Sequence, residues 1–155
     1  PSQSKGISFM QTILLINGPN LNKLGTRNQG IYGTKTLLEI EEDLSKEAVS
    51  QGFAIKPFQS NHEGQLIDFI QSESSNASGI IINPGGLAHT SIVLRDALVD
   101  SNLPTVEVHI SNIYEREEFR HKSVTEFSDV KSVVGEGWQG YFSALSQLIK
   151  KVRNG

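Results

Sequence analysis

The sequence predicts an α/β fold, a five-stranded and mainly parallel sheet held between two layers of helices. Three observations carry this expectation. Short apolar runs alternate with segments of helical period along the chain. Each apolar run ends in polar residues and turn-formers. The connections are long enough for right-handed crossovers, which join parallel strands buried on both faces. At 155 residues the chain is sized for a single domain.

Taken in order, residues 1–10 read as a flexible leader, residues 11–152 as the domain and residues 153–155 as a tail. TILLI at 12–16 is the first strand, followed by NGPNLNKLG. Thr36 and Glu39 have capping-box spacing ahead of a stripe formed by Leu37, Ile40, Leu44 and Ala48. FAIKPF at 53–58 is the second strand, and Ser60 with Glu63 suggests another capping box before the helix carrying Leu66, Ile67 and Ile70. GIIIN at 79–83 is the third strand, with a helix expected from Thr90 to Val99. PTVEVHI at 104–110 is the fourth strand, EREEFR reads as a helical turn, and VKSVVGEG supplies the last strand and turn. Trp138, Tyr141, Phe142, Leu145, Leu148, Ile149 and Val152 then recur at helical spacing and close the core. This is a flavodoxin-like three-layer sandwich, in which the carboxyl ends of the strands share one rim. Ligands bind in that rim near the reversal of strand order. NGPNLNKLG, QSNHEG, NPGGLAH, HISNIYEREEFR and GEG all lie at such ends.

Composition excludes several classes of function. A net charge of -3 gives no global positive field for nucleic acid or an anionic membrane. The absence of cysteine removes disulfides, thiolate chemistry and cysteine-ligated metals. The apolar runs are too short to span a bilayer, and PSQSKG lacks a signal peptide's apolar core, so a cytoplasmic protein is expected. NGPN is neither a P-loop nor a dinucleotide fingerprint, which argues against ATP and NAD. The four histidines form no HxH or HExxH pattern, so no metal is expected.

Non-covalent acid–base chemistry on a small polar anion fits the rim best. Asn20 reads either as a turn residue or as a group orienting ligand or water. Tyr32 is either a packing tyrosine or a base. An ordinary phenol has a pKa of about 10, so a base working near pH 7 needs roughly 4 kcal/mol of preferential phenolate stabilisation. Arg27, five residues earlier, is the candidate for supplying part of it. The flanking glycines suit a mobile lid. His89 and His109 are structural or catalytic, and Glu107, two residues before His109 on a strand, would share its face and orient its ring. Asn83 and Ser111 suit hydroxyl or carboxylate recognition, and Gly85 and Gly86 allow close backbone approach. Arg120 offers a bidentate carboxylate clamp. Arg116 sits between acids that could hold it structurally, and Arg95 with Asp96 reads as an intrachain pair or a subunit contact. Lys23 and Lys35 lie near the first rim segment without the apolar setting a nucleophilic lysine needs.

Three ordered blocks, LLINGPNLNKLGTRNQGIYG, INPGGLAHTSIVLRDAL and VEVHISNIYEREEFRHKS, closely resemble the type II 3-dehydroquinate dehydratases across residues 11–150. The resemblance implies conversion of 3-dehydroquinate to 3-dehydroshikimate and water by anti-elimination through an enolate, with no cofactor. Tyr32 would be the base, Arg27 its neighbouring arginine, and Asn20 the residue placing water at the enolate oxygen. His109 would be the general acid, supported by Glu107. Asn83, His89 and Arg120 would bind substrate, Ile110 and Ser111 would surround its carboxylate, and Asp96 would reach a neighbouring subunit's site. The resemblance also implies a dodecamer of four trimers. Two alternatives compete: another lyase or isomerase acting on a hydroxy-carboxylate, and a small-ligand binder without turnover.

Overall fold

The computed structural model describes residues 10–127 and 132–155, so the expected leader over 1–9 and the start of the expected last strand, Val130 and Lys131, lie outside the described residues. Strands β1 (Gln11–Asn17), β2 (Phe53–Gln59), β3 (Gly79–Asn83), β4 (Thr105–His109) and β5 (Val133–Val134) form one sheet in the order β2-β1-β3-β4-β5. Every pairing is parallel. This is the flavodoxin-like order the sequence predicts.

The helices are α1 (Gln29–Tyr32), α2 (Leu37–Ser50), α3 (Glu63–Glu73), α4 (Ile92–Asp100) and α5 (Gly140–Asn154). Alternation along the central strands divides the core in two. Ile13, Leu15, Ile81, Val106 and Val108 pack with Ile40 and Leu44 of α2 and Leu145 and Leu148 of α5. Leu14, Ile16, Ile80 and Ile82 face Leu66 and Ile70 of α3 and Leu94 and Leu98 of α4. Both faces of β1 and β3 are therefore buried, which is why these strands read as continuous apolar runs rather than alternating ones.

Local chemistry sets the element ends. Thr36 and Glu39 form the expected capping box of α2. The second expected box does not form: His62 is the N-cap of α3, without a side-chain cap. The Ser60 hydroxyl instead accepts from the His62 amide at 2.9 Å and donates to Gln65 Oε1 at 2.6 Å. Helix α4 begins two residues later than expected because Ser91 takes its N-cap, accepting from Leu94 N–H at 3.0 Å. EREEFR is not one helical turn: the segment splits into 3-10 turns at Ile113–Glu115 and Glu118–Arg120. Helix α5 runs through Asn154, past the expected domain end at 152, and Arg153 donates to the Gln51 carbonyl at 2.8 Å. None of the described helices is long and apolar enough to cross a membrane.

The order reverses between β1 and β3, where Asn17 and Asn83 stand side by side in register. The loops beyond them are pressed together. Gly18 N–H donates to the Asn83 carbonyl at 2.8 Å, and a Cβ on Gly18 would lie 2.4 Å from the Pro84 carbonyl oxygen. Only glycine allows this approach, so the NGPN and NPGG segments make one rim.

Candidate active site

A cleft opens at that rim, lined by Asn20, Arg27 and Tyr32 from the connection after β1, by Asn83, Gly86 and His89 after β3, and by His109, Ile110, Ser111, Arg116 and Arg120 at and after β4. Pro19, Leu21, Gly85 and Ile113 complete the lining, so nine of its fifteen residues carry polar side chains, which suits a small, oxygen-rich ligand.

The floor is a buried polar network. The Tyr141 hydroxyl, fully buried on α5, donates to Asn17 Oδ1 at 2.6 Å and accepts from Asn83 Nδ2 at 3.0 Å. Asn83 Oδ1 in turn accepts from Gly85 N–H at 3.2 Å. Burial pushes the Tyr141 phenol well above its ordinary value, more than its bond from Asn83 lowers it, so it stays a neutral hydroxyl. Asn17 Nδ2 has no hydrogen-bond partner among the described residues.

One wall holds Tyr32. Helix α1 is a single turn whose N-cap, Asn28, and C-cap, Gly33, both have positive φ. The Arg27 guanidinium lies 4.4 Å from the Tyr32 ring centroid. The bond to the phenol oxygen comes from elsewhere: Arg116 Nη1 donates to Tyr32 Oη at 2.7 Å. Arg116 was the ambiguous arginine of the sequence, and its neighbour Glu117 pairs more closely with Arg120, at 3.1 Å, than with Arg116, at 3.8 Å. The fork of Arg116 is left for the cleft. What the sequence could have offered was its position seven residues beyond His109, on the rim of a parallel sheet; contact with a residue 84 positions away leaves no local pattern.

The histidines line the same cleft. His109 Nε2–H donates to Glu107 Oε2 at 2.7 Å, and the two side chains are 6% and 4% exposed. Glu107 also accepts from Ser123 Oγ at 2.6 Å and from Thr125 Oγ1. Burial raises the Glu107 carboxyl, but the bond and charge of His109 and the two hydroxyls outweigh it, and the net shift is downward. Glu107 is therefore held as a carboxylate behind His109 and does not itself line the cleft. The bond assigns the His109 proton to Nε2 and leaves Nδ1, without a partner among the described residues, for whatever occupies the cleft. His89 stacks beside it, ring centroids 6.2 Å apart, and its Nδ1–H donates to the Lys122 carbonyl at 2.8 Å.

Of the expected site residues, Asp96 is not brought to the cleft of its own chain: it is exposed on α4. Nor does Arg95 pair with it. Arg95 Nη1 donates to the carbonyls of Val124 and Glu126 at 3.1 and 3.0 Å. Asn20 lies on the rim in the left-handed conformation, φ 72°, its amide donating to Asn61 Oδ1 at 2.9 Å. Neither Lys23 nor Lys35 lines the cleft, and Lys35 is held by Asp43 at 2.6 Å and stacked on Trp138. The cleft thus pairs a hydroxyl braced by arginine with an imidazole braced by carboxylate, and no lysine among the described residues lines it.

Known proteins share both sequence and fold. The family described as dehydroquinase class II matches residues 11–149. A 3-dehydroquinate dehydratase of Halothermothrix orenii is 49% identical over 94% of this chain and 99% of its own length. One from Prochlorococcus marinus is 54% identical over 89% of this chain and 94% of its own. The crystal structure of a type II dehydroquinase from Butyrivibrio crossotus superimposes with a TM-score of 0.86 at 45% identity, covering 90% of this chain and 97% of that one. With a family match over nearly the whole chain and the sheet order and cleft described above, the chain belongs to the class II dehydroquinases.

Proposed function

We propose that the cleft dehydrates 3-dehydroquinate to 3-dehydroshikimate by a non-covalent anti-elimination. The observation that carries this reading is the pairing of two braced groups in one cleft: Tyr32 Oη under Arg116 Nη1 at 2.7 Å, and His109 against Glu107 at 2.7 Å.

Tyr32, as phenolate, takes the proton on the carbon next to the substrate ketone. Arg116 donates to its oxygen and Arg27 lies over its ring. Charge moves to the ketone oxygen, where a water positioned by Asn20 donates to the enolate as it forms. The enolate then collapses, the carbon–oxygen bond to the hydroxyl breaks, and protonated His109 gives its Nδ1 proton to the leaving oxygen. Water departs instead of hydroxide. Glu107 keeps the ring oriented and steadies the imidazolium. The substrate carboxylate is received around Ile110 and Ser111, and Asn83, His89 and Arg120 bind the substrate. The proton on Tyr32 returns through solvent to His109, and the enzyme is restored.

Self-association accompanies this reading. Asp96 shares the outer side of α4 with Ile92 and Val93, which are 63% and 52% exposed, and this exposure supports a role toward a neighbouring subunit. A dodecamer of four trimers in the cytoplasm is the arrangement proposed. Supplying 3-dehydroquinate and following the ultraviolet absorbance of the conjugated product tests the reaction. Formation of 3-dehydroshikimate supports it; tight binding without product would make the cleft a binder, and a different product would make it another lyase.

A further inference from the structure

The segment after the Glu118–Arg120 turn crosses behind both histidines. The Lys122 carbonyl receives His89 Nδ1–H at 2.8 Å. Ser123 Oγ donates to Glu107 Oε2 at 2.6 Å, and Thr125 Oγ1 donates to Glu107 Oε1. Between them, Val124 N–H donates to the Ala88 carbonyl at 2.6 Å, tying the strap to the residue before His89. Arg95 of α4 clamps the strap from outside through the carbonyls of Val124 and Glu126.

We propose that this strap is the positioning device for the imidazole pair, and that Ser123 and Thr125 are positioning residues that act on the reaction through Glu107. The inference rests on reading His109 as the acid that protonates the leaving hydroxyl. A carboxylate bound only by one imidazole can swing about its side-chain torsions. With a hydroxyl on each oxygen, its plane is fixed, and Oε2 stays aimed at His109 Nε2. Thr125 is 2% exposed and Glu107 4%, so bulk water cannot take over the role of a deleted hydroxyl. The same short segment holds His89 by a carbonyl, so one strap sets both rings, and their 6.2 Å, 22° stacking follows from it. A hydroxyl on each carboxylate oxygen also means that Glu107 accepts from three side chains and keeps its charge when His109 gives up its proton to substrate.

The test is Thr125→Val, which keeps the shape and removes the hydroxyl, with Thr125→Ser restoring it. Steady-state turnover of 3-dehydroquinate should fall about tenfold or more in kcat with KM changed less than about threefold, since only the acid's alignment is lost. Thr125→Ser should recover most of the rate. In a His109→Ala background, Thr125→Val should add almost nothing, because the residue it acts through is gone. Wild-type kcat in Thr125→Val, an equal loss in Thr125→Ser, or an undiminished loss in the His109→Ala background would each overturn the proposal. If Thr125→Val does not fold, Ser123→Ala, at a half-buried position, carries the same comparison. A second readout does not depend on the reaction. The His109 Nε2–H resonance, assigned by its absence in His109→Ala, should be downfield and slow to exchange in substrate-free protein and lost in Thr125→Val. Its persistence there overturns the strap. Loss of the resonance together with a wild type that leaves 3-dehydroquinate unchanged would keep the strap and overturn the proposed reaction instead.

Discussion

Replacing Tyr141 by phenylalanine isolates the buried floor of the cleft. The ring stays, so the apolar packing against α2 and the sheet is kept and no cavity larger than one oxygen is left. What disappears is the hydroxyl that joins Asn17 to Asn83 at 2.6 and 3.0 Å. Both asparagines are almost wholly buried, at 0% and 3% exposure, so Asn17 Oδ1 and Asn83 Nδ2 are left dry and unpaired. Each such orphan costs about 1–3 kcal/mol, against a partial refund from no longer burying a phenol oxygen, giving a net loss of about 2–4 kcal/mol. For a chain of this size that lowers the melting temperature by roughly 5–15 °C. Urea unfolding followed by circular dichroism, at one fixed protein concentration, should show a lower midpoint at unchanged slope. Because Asn83 loses the bond that orients its amide, KM for the substrate should rise as well. A change in stability under about 0.5 kcal/mol, the range of an ordinary surface substitution, would refute the claim that this hydroxyl holds the two asparagines.

Other expectations concern the walls. Arg116→Ala should reduce kcat by about 100-fold or more while the circular dichroism spectrum is kept, since a charge-stabilising donor at the reacting oxygen is removed; steady-state kinetics reads this directly. Gly18→Ala should both destabilise the protein and weaken substrate binding, because its methyl group would meet the Pro84 carbonyl at 2.4 Å and force the two rim loops apart; calorimetry of unfolding and of ligand binding measures the two effects. Glu107 has a carboxyl held below its ordinary value of 4.5, so the unfolded chain takes up its proton first as pH falls. The stability it contributes is present above that ordinary value and is lost as pH drops through the lower folded value. The wild type's advantage over Glu107→Gln in urea should therefore shrink below about pH 4.5.

Much of the fold was written in local patterns. GIIIN at 79–83 is β3 to the residue, and the Thr36–Glu39 capping box opens α2. The boundaries that moved did so for reasons beyond local spacing. Ser60 has capping-box spacing to Glu63, but it turns to Gln65, while Glu63 receives the Ser91 hydroxyl from another helix. Tyr141 has the helical spacing of a core residue and is one, yet its hydroxyl reaches two strands at once. The cleft was legible through the rim rule, because parallel strands deliver their carboxyl ends to one place and polar residues cluster there. The pairing of groups within it was not. Arg27 is near Tyr32 in sequence and meets the ring face, whereas Arg116, masked by neighbouring acids, meets the oxygen. Ser123 and Thr125 carried no signal at all, since hydroxyl residues in a polar connection look like any solvated loop. Asp96 was legible as a subunit contact, its reach into a neighbouring site only through resemblance, and its side chain lies outside the cleft of a single chain.

The division of labour between Tyr32 and His109 is tested most directly by following the α-proton of 3-dehydroquinate in deuterated water with two variants. His109→Ala keeps the base but lacks the acid, so the account predicts that deuterium enters the substrate at that carbon faster than dehydration occurs. Tyr32→Phe lacks the base and should show neither exchange nor product. Exchange at the wild-type rate in Tyr32→Phe, or dehydration at the wild-type rate in His109→Ala, would contradict it.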